Sequence, residues 1–155
     1  MGLNPSYASL ADTIVGPVSV VVEDGAVVRL EWSVFDGPSC PVADAAIAQL
    51  DAYFAGERQA FDLPLAPQVS DFQRKFGAAL CAIPHGETRT YGDLSKQLGV
   101  PAQAIGQACG ANPIPIIIPC HRVLGANGLG GFSGAGGVEG KVQLLRHEGA
   151  ASLLI

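Results

Sequence analysis

Residues 112–123 read Asn-Pro-Ile-Pro-Ile-Ile-Ile-Pro-Cys-His-Arg-Val, and the organisation of the chain is best understood from this stretch. Its prolines, Pro113, Pro115 and Pro119, fix φ and hold the residues before them extended, so the sequence predicts an extended segment and excludes an α-helix. The isoleucines make the segment apolar, and we therefore expect it to be buried and rigid. Such a segment holds Cys120 in one place, as a reactive cysteine requires.

Cys120 carries the chemistry that these residues suggest. A thiol is a useful nucleophile as its thiolate, so Cys120 needs a base and a positive environment, and His121 follows it directly. Neighbours in an extended segment point to opposite faces, so a turn or a bridging water must connect the two side chains. Glu148 is available to orient the imidazole, as in other nucleophile–base pairs. Taken alone, these residues also fit a cysteine hydrolase or an inert core.

The other cysteines, Cys40, Cys81 and Cys109, form no Cys-x-x-Cys pair, and we expect them to be small buried hydrophobic residues. The three histidines add no recognisable zinc spacing. The sequence therefore predicts neither a metal site nor a cofactor.

Charge is distributed unevenly along the chain, which has a net charge of −5. Residues 1–67 contain two basic and nine acidic residues, whereas residues 68–155 contain seven basic and five acidic ones. The second part permits contact with a polyanion such as nucleic acid without requiring it. We see no secretory signal and no apolar run long enough to span a bilayer, so we expect a soluble cytoplasmic protein that uses no membrane.

The first part, residues 1–67, is predicted to be a small antiparallel sheet with a helix against it. Strands are expected at residues 13–15, 18–22 and 26–32. An Asp24-Gly25 turn should join the last two strands into a hairpin. No catalytic or ligand-binding motif is evident in this part, so its predicted role is that of a scaffold.

The same part should contain one helix and end in a linker. Apolar residues between Val42 and Phe54 recur at helical spacing, and Gly56 follows as a stop. Residues 61–68 contain two prolines and read as a connection to the second part.

The second part, residues 68–155, is predicted to be mainly helical. Ser70 and Gln73 form a capping-box pattern at the start of a helix that Pro84 and the residues after it break. A last helix is expected at residues 138–146.

Between these lies a pair of short helices, at about residues 90–110. Thr90 and Asp93 cap the first of them, Gly99 ends it, and Pro101 suits the start of the second. The pair has the shape of a helix-turn-helix, although an ordinary corner of two helices fits these residues equally well.

Residues 124–137 contain seven glycines, which suggests a wall that bends close to a flat ligand. A flexible surface connection is the alternative for this loop.

Three motifs together resemble the O6-alkylguanine-DNA alkyltransferases. The first is Pro-Cys-His-Arg-Val at residues 119–123, preceded by Asn-Pro at residues 112–113 and followed by His-Glu-Gly at residues 147–149. The others are Ile-Pro-His-Gly-Glu-Thr at residues 83–88 and Thr-Tyr-Gly at residues 90–92. The likeness covers roughly the whole second part, whereas the first part resembles that family in its layout alone.

This resemblance implies an α+β protein, with a small N-terminal sheet-and-helix lobe and a mainly helical C-terminal lobe that contains a helix-turn-helix. It implies DNA repair by direct damage reversal. The helix-turn-helix would enter the minor groove of double-stranded DNA and the alkylated guanine would be flipped out of the stack. The implied activity is that of a methylated-DNA–[protein]-cysteine S-methyltransferase. The alkyl group of O6-alkylguanine, or of O4-alkylthymine, would pass irreversibly to the cysteine of a monomeric protein without a cofactor.

The resemblance also implies roles for individual residues. Cys120 would be the acceptor, His121 its base acting through water, and Glu148 the group that orients His121. Tyr91 would protonate the departing guanine, and Asn112 would brace the turn before the active-site segment.

Further residues are implied to contact the substrate or to support the site. Ser133 would contact O6, with Phe132 as a pocket wall and Gly134 in the same run of the loop. Gln103 would stand where the family places an intercalating arginine. Arg122 would support the site rather than react, by pairing with a carboxylate or with carbonyl groups.

The chain departs from the family pattern in its recognition helix. Gln103 is neutral and shorter than arginine, and the turn before it, Gly99-Val100-Pro101, looks about two residues shorter than is usual in the family. Phe132 stands where the family often has tyrosine. We therefore expect weaker binding to duplex DNA with unchanged chemistry at Cys120.

Two other functions compete with repair by transfer. An alkyltransferase-like protein that binds the lesion with weak or no transfer would lack the acceptor cysteine, and Cys120 argues against it. A Cys-His hydrolase would need an oxyanion hole, for which the sequence offers no candidate.

Overall fold

The computed structural model describes residues 4–125 and 137–150, and the chain forms two compact units, Met1–Gln68 and Val69–Ile155. The predicted α+β class is confirmed: the described residues form a three-stranded antiparallel sheet, a two-stranded parallel ladder and five α-helices.

The sheet of the first unit contains β1 (Ser6–Leu10), β2 (Val18–Glu23) and β3 (Ala26–Glu31) in that order. The predicted hairpin is confirmed: Asp24 and Gly25 have φ of 52° and 74°, as a tight turn with positive φ at both residues requires.

The strand predicted at residues 13–15 is wrong. Thr13 and Gly16 exchange two backbone hydrogen bonds of 3.2 and 3.0 Å, so these residues form a turn, and the first strand lies earlier, in β1. β1 contains no β-branched residue, so its composition does not predict a strand. Its hydrogen bonds to β2 stabilise the extended conformation.

Helix α1 (Pro41–Phe54) packs against this sheet through Ala43, Ala46, Leu50 and Tyr53, which are all fully buried. Residues 61–68, predicted to be a linker, partly extend the sheet. The amide of Val27 donates to the Pro64 carbonyl at 2.8 Å, and its carbonyl accepts from the Ala66 amide at 2.9 Å.

In its described residues, the second unit contains four α-helices, α2 (Asp71–Cys81), α3 (Tyr91–Leu98), α4 (Ala102–Gly110) and α5 (Val138–His147). It also contains the two-residue strands β4 (Arg89–Thr90) and β5 (Val123–Leu124), which pair in parallel.

The predicted helix pair is present in α3 and α4, which pack against each other. The Thr90 hydroxyl accepts from the Asp93 amide at 3.0 Å, and the Asp93 carboxylate accepts from the Thr90 amide at 2.9 Å. Gly99 ends α3 with φ of 68°, in the left-handed conformation that favours glycine. Local signals therefore define both ends of α3.

The predicted cap of α2 is half formed. The Ser70 hydroxyl accepts from the Gln73 amide at 3.1 Å, but the Gln73 side chain donates instead to the Ala108 carbonyl, at 2.8 Å. This bond fastens α2 to α4. Among the described helices, none has the length and apolar character needed to cross a membrane.

Candidate active site

The prolines predict an extended segment at residues 112–118, and this prediction is wrong. These residues fold into consecutive turns. The amide of Ile117 donates to the Pro115 carbonyl and that of Ile118 to the Ile114 carbonyl, both at 2.9 Å. Ile116 has φ of 72°, a strained value for a β-branched residue. The segment is buried as predicted, and the turns pair backbone groups that an extended buried segment would leave without partners.

Asn112 holds this looped segment closed. Its Nδ2 donates to the Ile118 carbonyl at 2.8 Å, and its Oδ1 accepts from the Ile114 amide at 3.1 Å. The Ile118 carbonyl also accepts from the Cys120 amide at 2.8 Å. Asn112 and the reactive cysteine thus share one carbonyl group.

Cys120–Arg122 form a single turn of 3₁₀-helix, which we call the reactive turn. Successive side chains in a 3₁₀-helix lie about 120° apart around the axis, so Cys120 and His121 do not point to opposite faces. Cys120 is 6% exposed and His121 is fully buried. The sequence requires a turn or a bridging water to connect Cys120 and His121, and this 3₁₀ turn is such a turn.

The Glu148 carboxylate lies against this turn, at the C-terminal end of α5. Its Oε2 is 2.7 Å from Nε2 of His121 and 3.0 Å from Nη2 of Arg122. Its Oε1 accepts from Nε of Arg122 at 2.8 Å. Nη1 of Arg122 donates to the Ile83 carbonyl at 2.7 Å, so this arginine connects the carboxylate to the end of α2.

The contact between the Glu148 carboxylate and Nε2 of His121 sets the tautomer of the imidazole. Burial favours a higher pKa for Glu148, but hydrogen bonds from His121 and Arg122 and their charges hold the pKa well below its ordinary value. Burial lowers the pKa of His121, and Glu148 opposes that shift. An ionised Glu148 can only accept, so Nε2 carries the proton and Nδ1 has a free lone pair.

Nδ1 of His121 is buried and has no hydrogen-bond partner in the described part of the chain. It is therefore the nitrogen available to take a proton from a nearby group. Burial raises the pKa of the Cys120 thiol, whereas the hydrogen bond from Asn112 and the charge of Lys141 lower it. A buried thiol of this kind needs a base when it reacts.

Tyr91 is joined to the reactive turn through the β4–β5 ladder. Arg89 pairs with Val123 and Thr90 with Leu124, and Tyr91 follows as the first residue of α3, where it is half-buried. The ladder thus brings the start of α3 to the residues that directly follow the reactive turn.

Gln103 is exposed on the first turn of α4, and Gln107 is exposed one turn later. Space is open at Gly106 between them, because a Cβ added there would meet no atom within 4 Å. The predicted substrate contacts Phe132, Ser133 and Gly134 lie outside the described residues.

Lys141 is a site residue that the sequence interpretation missed. It is 1% exposed, and its Nζ donates to the Val123 carbonyl at 2.6 Å. The signal was present: Lys141, Leu144, Leu145 and Glu148 follow the spacing of one helical face, and all four are buried.

The remaining cysteines differ from the expectation of buried hydrophobic residues. Cys81 is exposed at the end of α2, and Cys40 and Cys109 are half-buried. The Cys81 sulfur lies 4.0 Å from the Ile117 carbonyl, although the residue as a whole is exposed. Within residues 4–125 and 137–150, no group of three His, Cys, Asp or Glu side chains could hold a metal ion.

Two family descriptions match this chain. Residues 71–150 match 6-O-methylguanine DNA methyltransferase, DNA binding domain, and residues 7–67 match 6-O-methylguanine DNA methyltransferase, ribonuclease-like domain.

Curated relatives carry the same kind of name. The chain is 52% identical over 105 residues to a methylated-DNA–protein-cysteine methyltransferase of Methanosarcina acetivorans, an alignment that covers 66% of each chain. It is 46% identical over 123 residues to the protein of that name from Mycobacterium tuberculosis, covering 77% of this chain and 71% of the relative. The matched region therefore spans about two thirds of the length of these relatives.

Solved structures cover more of the chain. The crystal structure of Mycobacterium tuberculosis O6-methylguanine methyltransferase has a TM-score of 0.81 and 37% identity, covering 96% of this chain and 94% of that one. The Mycobacterium tuberculosis OGT in complex with DNA has a TM-score of 0.82 and 38% identity, covering 94% of each chain. Sequence and structure agree, and this chain belongs to the 6-O-methylguanine DNA methyltransferase family.

Proposed function

We propose that this protein repairs DNA by direct damage reversal, moving the alkyl group of O6-alkylguanine irreversibly to Sγ of Cys120. The observation that carries the proposal is the buried series Cys120, His121 and Glu148, in which a carboxylate holds an imidazole beside a cysteine. Family membership and the relative solved in complex with DNA support the same reaction.

The transfer is a displacement at the alkyl carbon. The Cys120 sulfur forms a bond to that carbon while the bond from the carbon to O6 of guanine breaks, and guanine departs with the electron pair. Nδ1 of His121 takes the thiol proton through a water molecule, and Glu148 stabilises the imidazolium that forms. Tyr91, at the start of α3, supplies a proton to the departing guanine.

The remaining residues hold the site and bind DNA. Asn112 and Arg122 fix the loop before the reactive turn and the turn itself, and we place Arg122 in this group because its guanidinium is committed to Glu148 and Ile83. Gln103 on α4 contacts the duplex where the base leaves the stack, and Ser133, Phe132 and Gly134 contact the flipped guanine.

The product is a thioether, so each molecule acts once. To regenerate Cys120, a nucleophile would have to attack the alkyl carbon and expel the Cys120 thiolate, and water does not displace a thiolate from a thioether at neutral pH. The protein is thus a stoichiometric reagent.

A lesion-binding protein without transfer is not favoured, because Cys120 occupies the reactive turn beside its base. A hydrolase has to release its product and regenerate the cysteine in every cycle. The thioether formed here is stable, and the sequence offers no oxyanion hole that would assist formation and hydrolysis of an acyl-enzyme. We also propose that the protein works as a monomer, since one chain contributes every residue of the proposed site, and that it is cytoplasmic.

The test is the intact-protein mass after incubation with duplex DNA containing O6-methylguanine. We expect a gain of one methylene group, located at Cys120 by peptide mapping. Cys120→Ser should take up nothing, whereas the matched variant Cys109→Ser should be methylated like the wild type. Lesion binding without any gain in mass would refute transfer and support the lesion-binding alternative.

A further inference from the structure

Gln73 does not take the local role that its position in α2 offers. A glutamine three residues after an N-cap serine can complete a capping box by binding the serine amide, and the Ser70 hydroxyl does accept from the Gln73 amide at 3.1 Å. The Gln73 side chain instead donates from Nε2 to the carbonyl of Ala108, 35 residues further along the chain, at 2.8 Å. A local bond at the start of α2 is thus exchanged for a bond to α4.

The Ala108 carbonyl lies in the last turn of α4, where carbonyl groups run out of partners within the helix. It also accepts from the Ala111 amide, at 3.2 Å, and the next carbonyl, that of Cys109, accepts from the Asn112 amide at 3.3 Å. Gln73 therefore fastens α4 to α2 at the point where the chain turns into the loop before the reactive turn.

Helix α4 itself offers little that would fix its direction. Two of its nine residues, Ile105 and Ala108, are buried, and its N-cap, Pro101, provides no side-chain hydrogen bond. The helix contains no charged residue, so its side chains form no ion pair. The packing of α4 against α3 and the bond from the half-buried Gln73 are thus two of its main attachments.

We propose that Gln73 is a positioning residue for DNA binding, whose bond to the Ala108 carbonyl sets the direction in which α4 presents Gln103 to the duplex. The proposal rests on the function proposed above, in which α4 contacts DNA. A helix that is already held in its binding orientation does not have to be ordered when DNA binds, and this preorganisation increases affinity. The reactive turn is held by the Glu148 carboxylate, so the displacement itself does not need the bond from Gln73.

The test compares a substrate that needs α4 with one that does not. Wild type and Gln73→Met, which loses the donor, react with duplex DNA containing O6-methylguanine and with free O6-benzylguanine, whose benzylic carbon is readily attacked by a thiolate. We expect Gln73→Met to bind the duplex about fivefold more weakly, the equilibrium weight of one neutral hydrogen bond. Its transfer rates with the free base and with saturating duplex should stay within about twofold of wild type, because binding is lost and chemistry is not.

Gln49→Met is the matched control. Gln49 is also half-buried, and in the first unit its amide group donates to the Asp62 carbonyl at 3.0 Å and accepts from the Asp62 amide at 2.8 Å. Its replacement should lower the melting temperature and leave duplex binding unchanged.

Gln73→Glu separates stability from DNA binding. Glutamate suits the capping position after Ser70 but cannot donate to a carbonyl, so the melting temperature should be retained while duplex binding falls. Measurements at low and high salt separate the repulsion of the added charge, which salt screens, from the loss of the bond.

Duplex binding equal to that of wild type in Gln73→Met would overturn the proposal. An equal loss with the free base would also overturn it, because the bond would then support the fold or the reactive turn. Circular dichroism identifies a variant that fails to fold, and Gln73→Glu at high salt then decides between the same outcomes. A wild-type protein that takes an alkyl group from neither substrate would refute the repair function separately.

Discussion

The Glu148 carboxylate and the His121 imidazole are joined by a 2.7 Å contact between Oε2 and Nε2, and neither side chain is exposed to solvent. The same carboxylate pairs with Arg122. A single residue therefore orients the proposed base and neutralises a buried guanidinium, and its removal should affect reactivity and stability together.

Replacing Glu148 with Gln should slow alkyl transfer by about 100-fold or more, because general-base catalysis contributes that much and the imidazole loses its charged partner. The free energy of unfolding should fall by about 3–5 kcal/mol, since Arg122 is left as a buried charge without its carboxylate. Single-turnover transfer and urea unfolding measure the two effects. Glu139→Gln, an exposed position on the same helix, is the matched control. A transfer rate within about twofold of wild type would contradict the role given to Glu148.

The depressed pKa of Glu148 should make stability depend on pH in a defined direction. A carboxyl group whose pKa is lower in the folded state stabilises the protein above its unfolded pKa of about 4.3 and loses that contribution as pH falls further. The difference in unfolding free energy between wild type and Glu148→Gln should therefore be constant near neutral pH and shrink below about pH 4–5. Taking this difference cancels other carboxylates, such as Asp93. A gap that stays constant to low pH would show that Glu148 is not the titrating group.

Replacing Asn112 should loosen the loop and alter the acceptor thiol. Asn112→Ala removes the hydrogen bonds to the Ile118 carbonyl and from the Ile114 amide and should cost about 1–3 kcal/mol. It also removes the hydrogen bond that lowers the pKa of the Cys120 thiol. Asn112→Asp keeps an acceptor for the Ile114 amide but loses the donor to the Ile118 carbonyl and adds negative charge. The pH profile of Cys120 alkylation by iodoacetamide should therefore shift to higher pH in both variants, and further in Asp than in Ala. The opposite order would rule out an electrostatic effect of this side chain on Cys120.

Arginine in place of Gln103 should increase both affinity for duplex DNA and the rate of repair, because a longer charged side chain replaces more of the stacking lost on base extrusion. The slope of log affinity against log salt should steepen by about 0.9 for one added phosphate contact. Gln107→Arg adds the same charge one turn further along α4 and serves as the control. Equal repair rates for the two variants would show that Gln103→Arg acts only by general charge attraction and would contradict a specific role for position 103 in base extrusion.

Two glycines near α4 should respond to alanine in opposite directions. Gly106→Ala adds a methyl group in open space inside a helix and should stabilise the protein by about 0.5–1 kcal/mol. Gly99→Ala places an L side chain at φ of 68° and should destabilise by about 1 kcal/mol. Thermal unfolding distinguishes the two. If α4 approaches DNA closely, Gly106→Ala should also weaken duplex binding despite the gain in stability.

Features set by adjacent residues were predictable from the sequence. The Thr90–Asp93 cap, the Gly99 stop and the Asp24-Gly25 turn depend on contacts within four residues, and the structure contains all three. Such signals fix where an element begins or ends without knowledge of its neighbours.

Features set by distant partners were not predictable in the same way. Residues 112–118 contain enough proline to predict extension, yet the closed loop depends on Asn112 reaching the Ile118 carbonyl. β1 depends on pairing with β2, which its own residues do not announce. A sequence pattern predicts the conformation that each residue type adopts most often. In these two segments, contacts with other parts of the chain decide the conformation instead.

The two charges on α5 show the same limit. The sequence predicts Glu148 as the partner of His121 but assigns no role to Lys141, because lysine is usually exposed. The position of Lys141 on the face shared with Leu144 and Leu145 was the available indication of burial. The glycine-rich loop and its predicted contacts at Phe132, Ser133 and Gly134 stay predictions.

The two-residue ladder of β4 and β5 has a consequence for how this domain can diversify. Because Thr90 pairs with Leu124, the chain leaves and returns at neighbouring points, and α3 and α4 lie on the excursion between them. The turn between those helices can be shortened, or the exposed residues of α4 substituted, while both strands of the ladder stay in place. The exposed residues of α4 can therefore vary between relatives, whereas Tyr91, Asn112 and the reactive turn, which lie on the same excursion, have to keep their places.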